Sequence, residues 1–108
     1  MSGNGDSGGN YGGGSTTAFD CSKVSIKTNI ISPNPIVLDS LNVGDYLDVV
    51  LQTTTGPLLA VTTTGEILGS IFTIDPASII SCINEGFSYQ AQILKIDGGN
   101  VEVLITNK

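Results

Sequence analysis

Apolar and polar positions alternate from Lys23 onward, where Val24, Ile26 and Ile30 stand between polar neighbours. A period of two is typical of a β-strand with one covered face. The pattern ends at residues 32–35, Ser-Pro-Asn-Pro, because two prolines so close together remove N–H groups that a paired strand needs. We therefore expect a first strand, a turn or extended connector over residues 32–35, and a short apolar run over residues 36–41.

Three short apolar segments follow in quick succession, at residues 46–52, 58–63 and 67–72. The sequence Thr-Thr-Thr-Gly separates them twice, at residues 53–56 and 62–65. β-Branched threonines favour strands, and glycine supplies the positive φ that tight turns require. The pattern predicts a three-stranded meander.

Residues 75–78, Asp-Pro-Ala-Ser, carry the clearest helix start in the chain. Asp75 can accept hydrogen bonds from free amides as an N-cap, and Pro76 suits the first helical position, where its missing N–H costs nothing. The apolar residues of the next turns fall on one stripe, and Gly86 suits the C-terminal cap. We predict a short helix over residues 75–85, which must pack against the sheet because so short a helix is marginal alone.

Two last strands are predicted at residues 87–96 and 101–106, joined by the hairpin sequence Asp-Gly-Gly-Asn at residues 97–100. In the first of these strands Tyr89, Ala91 and Ile93 share one parity, whereas Leu94 and Ile96 fall on the other. This change predicts a β-bulge or burial on both faces.

Together these elements predict a mainly β fold, a small, partly closed β-barrel of about six strands with one short α-helix over residues 75–85. The helix should cover an open end or face of the barrel. Its apolar stripe is expected to pack against the strands through contacts of Ile79, Ile80, Cys82 and Ile83 with Val49, Leu51, Val61 and Ile71.

The chain divides into a tail and one domain. Seven of the fourteen glycines fall within residues 3–14, and little in residues 1–18 can be buried. Glycine's backbone freedom makes such a segment costly to order. We predict a flexible Gly-rich tail over residues 1–18, with a partner-binding arm around Tyr11 as the alternative, and a single small barrel domain over residues 19–108.

Composition narrows the chemistry. The chain has a formal net charge of −6, with four Lys+Arg against ten Asp+Glu, and it contains no histidine. The usual base for a serine or cysteine nucleophile is therefore missing, and Asp45 and Asp48 should face opposite sides of their strand. We expect no catalytic residue, no cofactor and no metal site. The domain is predicted not to be an enzyme.

The two cysteines, Cys21 and Cys82, lie 61 positions apart and match no zinc-binding spacing. No cationic and apolar leader is visible, and no stretch reaches the roughly 20 apolar residues of a spanning helix. We therefore expect a cytoplasmic protein without a membrane partner. A reducing cytosol favours two semi-buried free thiols, with a Cys21–Cys82 disulfide as the alternative.

From Leu41 to Ile105 the order of these signals resembles the HIRAN domain. The matching segments are Val43-Gly44-Asp45 before a strand, Leu59-Ala60-Val61, residues 65–71 (Gly-Glu-Ile-Leu-Gly-Ser-Ile), a helix, residues 86–91 (Gly-Phe-Ser-Tyr-Gln-Ala) and Asp97-Gly98-Gly99. The HIRAN domain is a small β-barrel module with a helical insertion that binds the 3′ ends of single-stranded DNA. The resemblance implies a barrel and an expectation of DNA-end binding; no individual binding residue carries over.

Three functions are consistent with these features. The first is a non-catalytic binding or adaptor domain that recognises a protein partner, because the sequence predicts an ordered core but no group of side chains suited to acid–base catalysis. The alternative is a HIRAN-like single-stranded DNA-end binder using Tyr46, Tyr89 and Lys95. The net charge disfavours nucleic acid, since binders of polyanions cluster Lys and Arg. The third is an acidic nucleic-acid mimic that presents on one face Asp39, Asp45, Asp48 and Asp97. The sequence leaves the oligomeric state open.

Overall fold

The computed structural model describes residues 19–108, and the predicted tail over residues 1–18 lies outside them. The described chain forms six β-strands and two short α-helices. In chain order they are β1 (Ser25–Ile31), α1 (Pro35–Leu38), β2 (Tyr46–Leu51), β3 (Leu58–Val61), β4 (Ile67–Ile71), α2 (Pro76–Asn84), β5 (Tyr89–Asp97) and β6 (Asn100–Asn107). The predicted mainly β class is confirmed.

The six strands form a closed barrel in the order β1-β4-β3-β2-β5-β6, with all neighbours antiparallel. Closure comes from β1, which pairs with β6 along residues 25–29 and with β4 at Ile30↔Ile71 and Ile31↔Ser70. The predicted β-barrel of six strands is confirmed, and it is closed where a partly closed one was expected. The sequence pattern identified β1 as a strand, but it held no sign that this strand joins the two free edges of the sheet.

The barrel interior is filled by alternate residues of each strand. Six side chains from β5 and β6 are at most 1% exposed: Tyr89, Ala91, Ile93, Val101, Val103 and Ile105. The predicted bulge lies in β5, where the register shifts between Ile93 and Lys95. Beyond the bulge Ile96, which packs against the core, lies opposite Val101. The bulge thus lets both parities of β5 contribute to the core.

Helix α2 connects β4 to β5 across one end of the barrel. Its N-cap is Asp75, as predicted. Ile79 and Cys82 are buried in the core, whereas Ile80 and Ile83 are partly buried against it. The predicted apolar stripe is confirmed, with Cys82 lying deeper than two of the isoleucines.

A second helix, α1, begins at Pro35, where a turn or extended connector was expected. Asn34 caps it, because its Oδ1 atom accepts the N–H of Ile36 at 2.9 Å and that of Val37 at 3.5 Å. Asn-Pro is the same helix-start signal as Asp-Pro before α2, but the nearby prolines were interpreted only as strand breakers. The connection through α1 lies at the barrel end opposite α2, and Val37 is buried there. Neither helix of residues 19–108 is long and apolar enough to cross a lipid bilayer.

Candidate functional site

Residues 19–24 are fixed to the α2 end of the barrel by hydrogen bonds. The Cys21 carbonyl accepts the Tyr89 hydroxyl at 2.6 Å and the Asn107 Nδ2 group at 2.8 Å. Asn107 Oδ1 in turn accepts the N–H of Val24 at 2.8 Å. Because Tyr89 is only 1% exposed, these bonds tie the segment directly to the barrel core.

Cys21 and Cys82 form a disulfide, with their Cα atoms 5.6 Å apart. The bridge joins the N-terminal segment to α2. The expectation of two free thiols is therefore wrong. It rested on an assumed reducing compartment, whereas the fold brings two positions 61 residues apart to bridging distance, which sequence spacing cannot reveal.

The ladder between β1 and β4 is the shortest in the barrel. Beyond Ile30 it continues through one bond, from the Phe72 N–H to the Asn29 carbonyl at 3.3 Å, and the Thr28 hydroxyl donates to the Phe72 carbonyl. Farther on, β1 and the chain after β4 separate. Between them lies a groove of 380 Å³ lined by Phe19 and by residues 26–29 and 72–75. We call it the seam groove.

Three large apolar side chains are exposed around the seam groove: Phe19 at 40%, Phe72 at 54% and Ile74 at 95%. Ile74 directly precedes the N-cap of α2, a position whose apolar side chain often packs against the fourth helical residue, here Ile79. Ile79 is buried while Ile74 lies in solvent, so that contact is not made. The rest of residues 19–108 leaves this apolar surface uncovered.

Neither Phe19 nor Ile74 was predicted from the sequence to be a site residue. A signal for Ile74 was present, since a large apolar residue between a strand and an Asp-Pro helix start is expected to pack or to bind. No comparable signal existed for Phe19. Its position depends on the disulfide of Cys21, two residues away, and on the distant Tyr89.

Of the three residues predicted to bind DNA, Tyr46 and Lys95 lie on the surface and Tyr89 lies in the core. Tyr46 is 50% exposed at the start of β2, opposite Gln92. Lys95 is exposed on β5, beyond the bulge and opposite Glu102. Tyr89 is inside the barrel and 1% exposed, so the expectation that its ring offers a stacking face is wrong. Its parity with Ala91 and Ile93, both buried, is the pattern of a core residue.

The four aspartates of the acidic-mimic hypothesis come from separate segments. Asp48 on β2 forms an ion pair with Lys108 at 2.5 Å, and Asp45 accepts a backbone N–H in the preceding turn at 2.8 Å. Asp39 is the C-cap of α1, and Asp97 ends β5. Among residues 19–108, no group of three or more Cys, Asp or Glu side chains is placed to hold a metal ion.

A larger groove, of 670 Å³, lies between β2, the end of α2 and the C-terminus. The Asp48–Lys108 ion pair lines it, and the Asn84 amide donates to the Thr54 carbonyl at 2.8 Å beside it. Phe87, 37% exposed, also lines it. These polar groups are paired with one another, and the described lining holds one exposed large apolar side chain, Phe87, against three around the seam groove.

Two groups near the N-terminal segment have shifted pKa values. Hydrogen bonds from the Ser22 hydroxyl at 2.7 Å and the Ser22 N–H at 2.9 Å lower the pKa of Asp20 below its ordinary 3.8. Burial, followed by the charges of Asp20 and Glu85, raises the pKa of Tyr89 above its ordinary 10.0. Both shifts move the pKa of the residue farther from 7. Neither side chain is therefore suited to exchange a proton at neutral pH.

No family model matches the chain, and no curated protein matches it. Among solved structures, a protein from Lactobacillus plantarum determined by the Northeast Structural Genomics Consortium is similar, with a TM-score of 0.61 and 18% sequence identity. The similarity covers 79% of this chain and 94% of that chain. At this identity it shows a common fold alone. The resemblance to the HIRAN domain stays a prediction.

Proposed function

We propose that residues 19–108 form a non-catalytic binding domain that recognises a protein partner. The observation that carries this proposal is the exposed apolar surface of Phe19, Phe72 and Ile74 around the seam groove. Grouped apolar side chains of this kind mark interaction sites. Fully burying one large apolar side chain contributes about 1.5–3 kcal/mol, so a partner that covers the surface gains a substantial driving force.

The available side chains favour binding over catalysis. The chain has no histidine, and the disulfide takes up both cysteine thiols. Asp48 is paired with Lys108, and Asp20 is held in its ionised form by Ser22. A general base or nucleophile needs a group poised to exchange a proton or attack near neutral pH, and these contacts supply none.

Site-specific photocrosslinking tests the proposal. Benzoylphenylalanine replaces Ile74 in one version of the protein and Ile36 in a matched control, because Ile36 is 80% exposed on α1 at the opposite end of the barrel. In cells that produce the protein, we expect a defined protein adduct from position 74 and none from position 36. Equal adducts from both positions would contradict a specific surface.

The crosslinked partner, identified by mass spectrometry and then purified, completes the test. We expect it to bind the wild-type protein and to lose at least tenfold in affinity when Ile74→Asp is introduced. The control variant Ile36→Asp should bind within twofold of wild type. It replaces a similarly exposed isoleucine by the same charged residue, but at the opposite end of the barrel. A partner that does not distinguish the two variants would count against the proposal.

A second candidate function, HIRAN-like binding of single-stranded DNA ends, retains one favourable observation. Tyr46 is 50% exposed on β2, and Lys95 is exposed on the neighbouring strand β5. An aromatic face and a cation are the groups with which barrels bind single strands. With Tyr89 buried, however, such a site has one tyrosine fewer than expected.

The cytoplasmic location also stays a prediction, and the disulfide bears on it. Disulfides persist mainly in oxidising compartments, whereas the cytosol keeps thiols reduced. Alkylation of free thiols at the moment of cell lysis, followed by mass spectrometry of the intact protein, distinguishes a reduced from an oxidised pair of cysteines. Two alkyl groups per chain indicate Cys21 and Cys82 reduced in a cytosolic protein, and none indicates the oxidised pair.

A further inference from the structure

Among the described residues, 19–108, one edge of β1 is unpaired in the seam groove. The Asn29 carbonyl points toward β4, where it accepts the Phe72 N–H. Because backbone groups alternate along a strand with a period of two, the N–H and carbonyl of Lys27 point the same way. Within residues 19–108 no backbone group pairs with Lys27 on this side. An unpaired strand edge of this kind accepts another strand readily.

The exposed apolar side chains line the same groove as this edge. An extended segment laid beside β1 would turn alternate side chains toward Phe72 and Ile74 and the others toward solvent. Four residues placed opposite residues 25–28 span about 13 Å. The groove volume of 380 Å³ is within the range of roughly 300–1,000 Å³ that small-ligand sites occupy.

Charge favours a basic segment. The chain has a net charge of −6. The described lining of the seam groove holds one acidic residue, Asp75, and one basic residue, Lys27, so the attraction comes from the net charge of the whole chain rather than from the lining. A basic chain is attracted to an acidic domain, which raises the association rate and makes binding sensitive to salt.

We infer that the seam groove binds an extended, basic segment of the protein partner by adding it as a strand to β1. The inference rests on the proposed function, because it specifies how that partner is held. Apolar side chains at alternate positions of the segment lie against Phe72 and Ile74. The free backbone groups of Lys27 supply hydrogen bonds, and the apolar contacts select the sequence.

A random nine-residue peptide library displayed on phage is the probe for the first experiment. Selection against the full chain should enrich peptides with apolar residues at positions i and i+2 and flanking lysine or arginine. Titration calorimetry with the synthesised peptide should show at least a tenfold loss of affinity for Ile74→Asp and less than a twofold change for Ile36→Asp. A selection that enriches no peptide, or a peptide that binds both variants equally, overturns the inference.

Backbone methylation of the peptide separates strand addition from apolar contact alone. Alternate peptide N–H groups face β1 in an added strand, so N-methylation at those positions should weaken binding at least tenfold. Methylation at the intervening positions should weaken it less than threefold. The protein itself is unchanged, so folding cannot affect the comparison. Methylation effects that do not alternate overturn strand addition.

Competition distinguishes failure of this inference from failure of the proposed function. The peptide should displace the partner crosslinked at position 74. A partner that binds at Ile74 yet is not displaced overturns strand addition and leaves the proposed function standing. If the surface instead pairs with a second copy, sedimentation velocity will show a dimer that Ile74→Asp dissociates, which overturns both.

Discussion

The backbone of Gly69 on β4 lies so close to Ile30 on β1 that a Cβ atom at position 69 would come 2.8 Å from the Ile30 Cγ2 atom. The same Cβ would come 2.8 Å from the carbonyl oxygen of Ile31. Such contacts are too short for any real side chain, and one of them is to backbone. Since β1 and β4 pair at only two residue positions, the absence of a side chain at Gly69 is what allows the barrel to close.

Gly69→Ala should therefore lower the free energy of unfolding by about 1–3 kcal/mol, the usual cost of forcing extra atoms into a packed contact. The matched control is Gly99→Ala, because a Cβ there meets nothing within 4 Å. We expect the control to change stability by less than about 0.5 kcal/mol. Urea denaturation followed by circular dichroism measures both. Equal unfolding midpoints for the two variants would contradict this explanation of barrel closure.

The parts of the fold that follow from local pattern were predictable from the sequence. The alternation around Ile26, the helix start at Asp75 and the parity change after Ile93 each reflect interactions within a few residues. Helix α1 could also have been predicted, since Asn34 before a proline is an N-cap signal. Barrel closure could not be predicted from local pattern, because it depends on the contact of Gly69 with a strand almost forty positions earlier in the chain.

The site was harder to predict because its residues come from distant segments. Phe19 and Ile74 line one groove only after the barrel closes and the disulfide forms. The error at Tyr89 was avoidable, because a tyrosine that shares its parity with Ala91 and Ile93 belongs to the buried face. Parity indicates which side of a strand a residue occupies, whereas the grouping of exposed residues requires the complete topology.

Removing the disulfide should lower the free energy of unfolding by about 4 kcal/mol, because the bridge closes a loop between residues 61 positions apart. The variant is Cys21→Ala combined with Cys82→Ala, measured by urea denaturation. Wild-type protein treated with a phosphine reductant is the control and should lose a similar amount. A double variant as stable as the oxidised wild type would show that the bridge does not constrain the unfolded chain.

Tyr89→Phe should remove a hydrogen bond to the Cys21 carbonyl and cost about 1 kcal/mol at neutral pH. The pKa of Tyr89 is raised in the folded state, chiefly by burial, so the folded chain holds this proton more tightly than the unfolded chain. The associated stability is complete below pH 10.0, the ordinary value, and is lost as the pH rises through the higher folded pKa.

Unfolding curves of the two proteins at intervals from pH 8 to pH 11 test this alkaline dependence. Wild type should lose more stability than Tyr89→Phe above pH 10.0, so the difference between them should shrink with pH. Both proteins contain the same lysines and the same other tyrosines, so the titration of those groups cancels in the difference between the two free energies of unfolding. Parallel curves over the whole range would mean that burial of Tyr89 does not disfavour its phenolate.

A short oligonucleotide with a free 3′ end should bind more weakly than about 100 μM even at low salt, below the ordinary range of non-specific affinity. The net charge is −6, Lys95 lies opposite Glu102, and Tyr89 has no exposed ring. Fluorescence polarisation measures the binding of wild type beside Tyr46→Ala, with Phe87→Ala as the control because Phe87 is also partly exposed but lies away from Lys95. Tighter binding that is lost in Tyr46→Ala and kept in Phe87→Ala would establish a single-strand site on β2 and β5 and would favour the HIRAN-like function over the protein partner.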